Sequence, residues 1–139
     1  MEQMNTGLAE EHRQGIVDSL NKLLADEHVL YIKARNYHWN VVSRHFNDLH
    51  KFFEGQYQQL EAIIDEVAEN VRQFGGVAQG TMAEFTRDAR LHEEPGRIPD
   101  DNGMVASLLN DHESIIRTLR EDITRADEEY KAADASDFL

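Results

Sequence analysis

Residues 46–74 read FNDLHKFFEGQYQQLEAIIDEVAENVRQF, from Phe46 to Phe74. Apolar side chains recur every three or four positions, at Leu49, Phe53, Tyr57, Leu60, Ile64, Val67, Val71 and Phe74. That period marks one face of an α-helix, and Gly75-Gly76 directly after it is a helix stop. On a wheel turning about 100° per residue, His50 is set at 0°, Glu61 falls near 20°, Glu54 near 40°, Asp65 near 60° and Glu69 near 100°. The apolar stripe covers roughly 220–340°. One imidazole and four carboxylates therefore share a band beside the hydrophobic face. Such a band is either a solvated acidic surface or a set of ligands, and this helix alone favours the surface.

Working outward, residues 9–39 carry Ile16, Leu20, Leu23, Leu24, Leu30, Tyr31 and Ala34 at the same spacing and predict a first long helix. Asn40-Val41-Val42-Ser43-Arg44 breaks the period and reads as a turn. Both prolines, Pro95 and Pro99, fall between 75 and 100 together with Gly75, Gly76, Gly80 and Gly96. That punctuated stretch is a long crossover with a short helix near 82–90. Asp100-Asp101-Asn102 offers N-caps for a helix over 103–131, whose stripe is Val105, Leu108, Leu109, His112, Ile115, Leu119, Ile123 and Ala126. No strand-like alternation and no internal repeat occur. An up-down helix pair, a crossover, then another helix is the order of a ferritin-like four-helix bundle. The expectation is an all-α single domain over residues 1–139, with a crossover between its second and third long helices. It is incomplete at the C-terminal end, because Ser136-Asp137-Phe138-Leu139 stands where a fourth long helix would begin.

The chain has 139 residues, 40% hydrophobic and 29% charged, which suits one globular domain. Lys+Arg is 14 against 27 Asp+Glu, for a formal net charge of −13. Such a surface repels nucleic acid and attracts cations. Cysteine is absent, so disulfides, thiolate nucleophiles and iron–sulfur clusters are excluded. Any transition metal must be held by imidazole and carboxylate, a donor set that suits iron, manganese or zinc. The N-terminus has no basic segment followed by an apolar one, and no apolar run approaches the ~20 residues of a membrane helix. A cytoplasmic protein without membrane contact is expected.

His38 continues the line Glu27, Tyr31, Ala34 toward the core side of the first helix. Alone it reads as a hydrogen-bonded core histidine, but the short turn brings it toward His50. Asp65 lies 15 residues beyond His50, about 22 Å along a continuous helix, and Glu69 about 28 Å. Metal–ligand bonds are only about 2 Å long, so one chain cannot close His50 and Asp65 on one ion. The two pairs serve different sites or meet across a subunit boundary. An antiparallel two-fold pairing of these helices would set His38 and His50 of one chain against Asp65 and Glu69 of the other. No Glu is followed by a His three residues later, so the one-chain di-iron signature is missing.

The segment Asn36-Tyr37-His38-Trp39-Asn40-Val41, then Phe46, Leu49-His50, Phe53-Glu54, Tyr57, Leu60, Asp65 and Ala68-Glu69, resembles the Dps family of miniferritins. Gly80-Thr81 followed by Glu84 is similar to the crossover of that family, and the match runs from about residue 16 to 139. The resemblance implies a hollow dodecamer built from two-fold dimers. It implies oxidation of Fe(II), with hydrogen peroxide preferred to oxygen, and storage of ferric mineral. It places a two-iron ferroxidase site between subunits, with His38 and His50 from one and Asp65 and Glu69 from the other. Glu54 falls where the family has a nearby acid. Trp39 stands beside the centre, as a trap for stray oxidising equivalents or as a packed aromatic. Zinc or manganese would compete for such donors.

Two family properties depart from the pattern. The Lys-rich tail through which many members bind DNA is missing: residues 1–15 hold Arg13 against Glu2, Glu10 and Glu11, with no Lys, so weak or no DNA binding is expected. The last long helix is also missing. Asp134 and Asp137, at its expected start, are either acids of an iron-guiding pore or a solvated tail. Two alternatives to a ferroxidase stand: a DNA-binding nucleoid module of the same fold, and a helical assembly whose His and acids are structural. The sequence assigns no role to His12, His28, His45, His92 or His112.

Overall fold

The computed structural model describes residues 5–139; Glu2 of the tail lies outside them. Helix α1 spans Glu10–Asn40, and α2 spans Phe46–Gln73. A crossover carries the short α3, Met82–Asp88, and α4 runs Asp101–Thr124. A single π-helical turn, Arg125–Glu129, follows, and α5 covers Ala133–Phe138. Among the described residues there is no strand, and the three long helices and the crossover occur in the order the sequence predicts.

Local chemistry sets each boundary. At the end of α2, Gly75 takes φ 80°, the Gly75 amide donates to Arg72 O, and the Gly76 amide donates to Val71 O. This is the double bond of a Schellman stop, and it needs the left-handed residue that glycine supplies. The next glycine has a packing role: a Cβ on Gly76 would stand 2.5 Å from Val17 Cγ1. Helix α3 starts on a reciprocal capping box between Thr81 and Glu84. Helix α4 starts where Asp100 accepts from the Gly103 amide at 2.7 Å.

Helix α1 is the central element, buried over most of its circumference and packed against α2, α3 and α4. Asp26 on α1, 1% exposed, holds the crossover. It accepts from the amides of Arg90 at 2.5 Å and Leu91 at 3.2 Å, and pairs with the Arg90 guanidinium at 2.8 Å. Higher up, Lys33 on α1 donates to His92 O and to Asp111 of α4, and Tyr37 donates to Ser107 of α4.

The stripe on α4 differs from the one read in sequence. Leu108, Ile115 and Ala126 are buried, but Leu109 is 57% exposed and Val105 is exposed too, while Met104 is fully buried. Helix α4 meets α1 along a narrow seam, so only one side of its apolar arc is covered. Its regular helix also stops at Thr124 rather than 131, giving way to the π turn and to Lys131 at φ 56°. The segment 133–138 is a short helix in which Asp134 and Asp137 are both exposed.

Candidate metal centre

The end of α1 and the start of α2 face each other across a five-residue turn. This places His38 and His50 with their rings stacked, centroids 3.8 Å apart. Each imidazole donates to the other's backbone: His38 Nδ1 to His50 O at 2.6 Å, and His50 Nδ1 to His38 O at 2.8 Å. A carbonyl only accepts, so Nδ1 is the donor in both rings, and Nε2 is the ring atom left for a metal. Histidine ligands of metals are commonly oriented by such a second bond. Phe46 stacks on His50 at 4.9 Å and closes one side of the pair.

Glu54, one turn along α2, completes the group. One ligand atom each from His38, His50 and Glu54 lies within 4.8 Å of the others. Two imidazoles and one carboxylate fit a divalent first-row metal, and three donors leave positions open for substrate, water or further ligands. Glu54, a candidate metal ligand from the sequence, thus lies in the cluster itself.

Asp65 and Glu69 do not join this group. Helix α2 is continuous from 46 to 73, and both acids are exposed on its far half. Trp39 also stands apart from it. It is 63% exposed, and its ring lies 4.9 Å from the Arg35 guanidinium carbon. Besides Phe46, the ring that touches the cluster is Tyr57, 5.4 Å from the His38 imidazole. In sequence Tyr57 was legible as one member of an apolar stripe and one position of the family resemblance, with no role of its own.

The remaining histidines take individual places. His28 stacks on Phe85 of α3 at 3.8 Å, and its half-burial holds its pKa below the usual imidazole value. His112 Nε2 donates to Gln56 Oε1 at 3.3 Å, tying α4 to α2. His12 stands near Tyr130, His45 is the residue before α2, and His92 contributes its carbonyl to Lys33. A further buried acid was placed on the core side by the sequence but given no role there. Glu27 is 7% exposed on the core face of α1, and burial, with the neighbouring Asp26 charge, pushes its carboxyl up to about 7.

The ferritin-like domain model matches residues 17–139. The chain is 35% identical over 122 residues to the DNA protection during starvation protein of Brevibacillus brevis, covering 86% of this chain and 81% of that one. This chain belongs to the Dps family of ferritin-like proteins. A Dps protein from Vibrio cholerae, described as a member of a broad superfamily of ferritin-like diiron-carboxylate proteins, superposes with a TM-score of 0.88 at 26% identity. The match covers 99% of this chain and 87% of that one. An uncharacterized low temperature-induced protein of Nostoc sp. is 42% identical over 139 residues, all of this chain and 78% of the relative. Among the described residues of this Dps-family chain, no helix is long and apolar enough to cross a membrane.

Proposed function

We propose that this protein is a ferroxidase and iron store that protects against oxidative damage. The observation that carries this reading is the His38–His50–Glu54 cluster: two imidazoles held through Nδ1 by backbone carbonyls, with one ligand atom from each of the three residues within 4.8 Å of the others. Fe(II) is the substrate. Anionic oxygen and imidazole donors favour Fe(III) over Fe(II), so binding promotes electron loss. Hydrogen peroxide is the preferred oxidant. Two Fe(II) supply both electrons to one peroxide at a filled site, so no radical is released.

A filled site needs more donors than one chain provides here. Asp65 and Glu69 of a two-fold related copy supply them, because the length of α2 forbids closure within one chain. Two-fold dimers assembling into a hollow dodecamer would enclose the mineral. Twelve chains at −13 each give −156, a strong attraction for cations. The reading places the protein in the cytoplasm, with zinc or manganese as competitors for the donors and Asp134 and Asp137 as pore acids.

Anaerobic Fe(II) loading followed by hydrogen peroxide tests the reading. The expected result is consumption of two Fe(II) per peroxide, with light scattering reporting an oligomer. A folded 16.0 kDa monomer that leaves Fe(II) unoxidised overturns it.

A further inference from the structure

The turn that joins the two limbs of the metal centre lies mostly in solvent. Val41 is buried at the end of α1, but Val42, Arg44 and His45 are exposed. Ser43 is half-buried, and its hydroxyl donates to Asp101 Oδ2, in the first turn of α4, at 2.6 Å. Among the described residues this is the turn's one side-chain hydrogen bond to another element. The same hydroxyl oxygen accepts from the His45 amide at 3.0 Å, and the Ser43 carbonyl accepts from the Phe46 amide at 3.1 Å. Helix α2 therefore starts on Ser43, which supplies the bonds that the His45 side chain does not. Phe46 in turn stacks on His50 at 4.9 Å. The bond from Ser43, ahead of the one from the Asn102 amide, holds the Asp101 carboxyl below its usual value, which fits a carboxylate that accepts.

The other limb is tied to the same stretch of α4. Tyr37, the residue before His38 and 5% exposed, donates from its hydroxyl to Ser107 at 3.2 Å. Asp101 and Ser107 are six residues apart, about 9 Å along a helix. One short, rigid stretch thus grips the end of α1 and the start of α2. No residue of α4 belongs to the His38–His50–Glu54 group.

We propose that the first turns of α4 position the metal centre: Asp101 holds Ser43 and Ser107 holds Tyr37, so α4 sets the separation of His38 and His50 without giving a ligand. The inference rests on the reading of His38, His50 and Glu54 as the iron site and names what keeps that site in shape. Each imidazole bonds to the backbone of the opposite limb, so the ring pair carries no anchor of its own outside the two limbs. A shift of one limb along the other therefore lengthens both ring bonds at once. Ligand atoms must converge on one ion at about 2 Å, and a site that is loose before binding spends affinity on being ordered. Ser43, Asp101, Tyr37 and Ser107 are positioning residues in this sense, acting through the imidazoles and not on the metal.

Calorimetry with Co(II) reads the site, and NMR of isotope-labelled histidine in the metal-free protein reads how fast the two Nδ1 protons exchange with water. Ser43→Ala, Asp101→Ala and Tyr37→Phe should each weaken Co(II) binding and speed that exchange about 3-fold, the worth of one modest hydrogen bond. The double variant Ser43→Ala/Asp101→Ala should be no worse than either single one, because both remove the same bond. Ser43→Thr keeps the hydroxyl and should restore the wild-type values. Asp111→Asn weakens the 2.7 Å ion pair with Lys33 further along α4; it should lower the urea midpoint and leave both readouts unchanged. Wild-type values in Ser43→Ala and Asp101→Ala overturn the proposal. So does a double variant whose losses multiply, or an Asp111→Asn effect as large as that of Ser43→Ala. If the wild type binds Co(II) but oxidises no Fe(II), the ferroxidase reading fails and the positioning result stands. If it binds no Co(II), the exchange of the Nδ1 protons still decides whether α4 holds the rings.

Discussion

His38 and His50 donate their Nδ1 protons to each other's backbone carbonyls, at 2.6 and 2.8 Å, across the turn that joins α1 to α2. This exchange orders the turn and prepares the metal site at once. The two functions are coupled, since moving either ring also loosens the other.

The shared-site reading predicts complementation. His50→Ala and Asp65→Ala should each lower the rate of Fe(II) oxidation about 10-fold or more. Mixed and reassembled, the two variants should regain activity, because each mixed dimer then holds one intact site. Stopped-flow absorbance during peroxide addition is the measurement. Unchanged rates in both single variants would sink the assignment.

Glu54 separates ligation from mere proximity. Glu54→Gln keeps the side-chain size and removes the charge, so Co(II) or Zn(II) affinity measured by calorimetry should fall about 10-fold. An affinity equal to wild type would leave the imidazole pair as the only binding group of this chain.

Glu27 predicts an unusual pH profile. Its folded pKa, about 7, is above the ordinary carboxyl value of 4.5, so the folded state holds the proton more tightly than the unfolded chain. Its contribution to stability is greatest below about pH 4.5 and is lost as pH rises to about 7. Glu27→Gln should therefore stabilise the protein near pH 8, by about 3 kcal/mol at most, and change little near pH 5. Urea denaturation at the two pH values measures this.

Asp26 tests the crossover clamp. Asp26→Ala leaves the Arg90 guanidinium and two amides without their acceptor, and should cost about 3–5 kcal/mol. The urea midpoint should drop accordingly, whereas Glu94→Ala, which breaks an exposed pair with Arg97, should change stability by less than about 1 kcal/mol.

DNA binding should be weak. A mobility-shift assay at low ionic strength should show no retarded band, since the surface carries −13 per chain. Tight binding that weakens steeply with added salt would contradict this.

Periodicity in the sequence was enough for the long helices, because one buried face per helix is an i, i+3, i+4 pattern that needs no partner to be read. Asp100 and Gly75 marked two of their boundaries through a local hydrogen bond and a positive φ. The spacing of His50 from Asp65 and Glu69 also stated that one chain cannot bring these groups to a single ion, since helical rise is fixed at about 1.5 Å per residue. Other features depended on neighbours distant in sequence. Tyr57 rather than Trp39 touches the imidazole pair, because the helix turns Trp39 outward onto Arg35. Met104 rather than Val105 is buried, because α4 is covered on one side only. Glu27 acquires its raised pKa from burial, which no local pattern of charges reveals. Sequence alone determined the helices, their order and the type of donors. Tertiary packing decided which rings and acids meet, because contact depends on the direction in which each helix face is held.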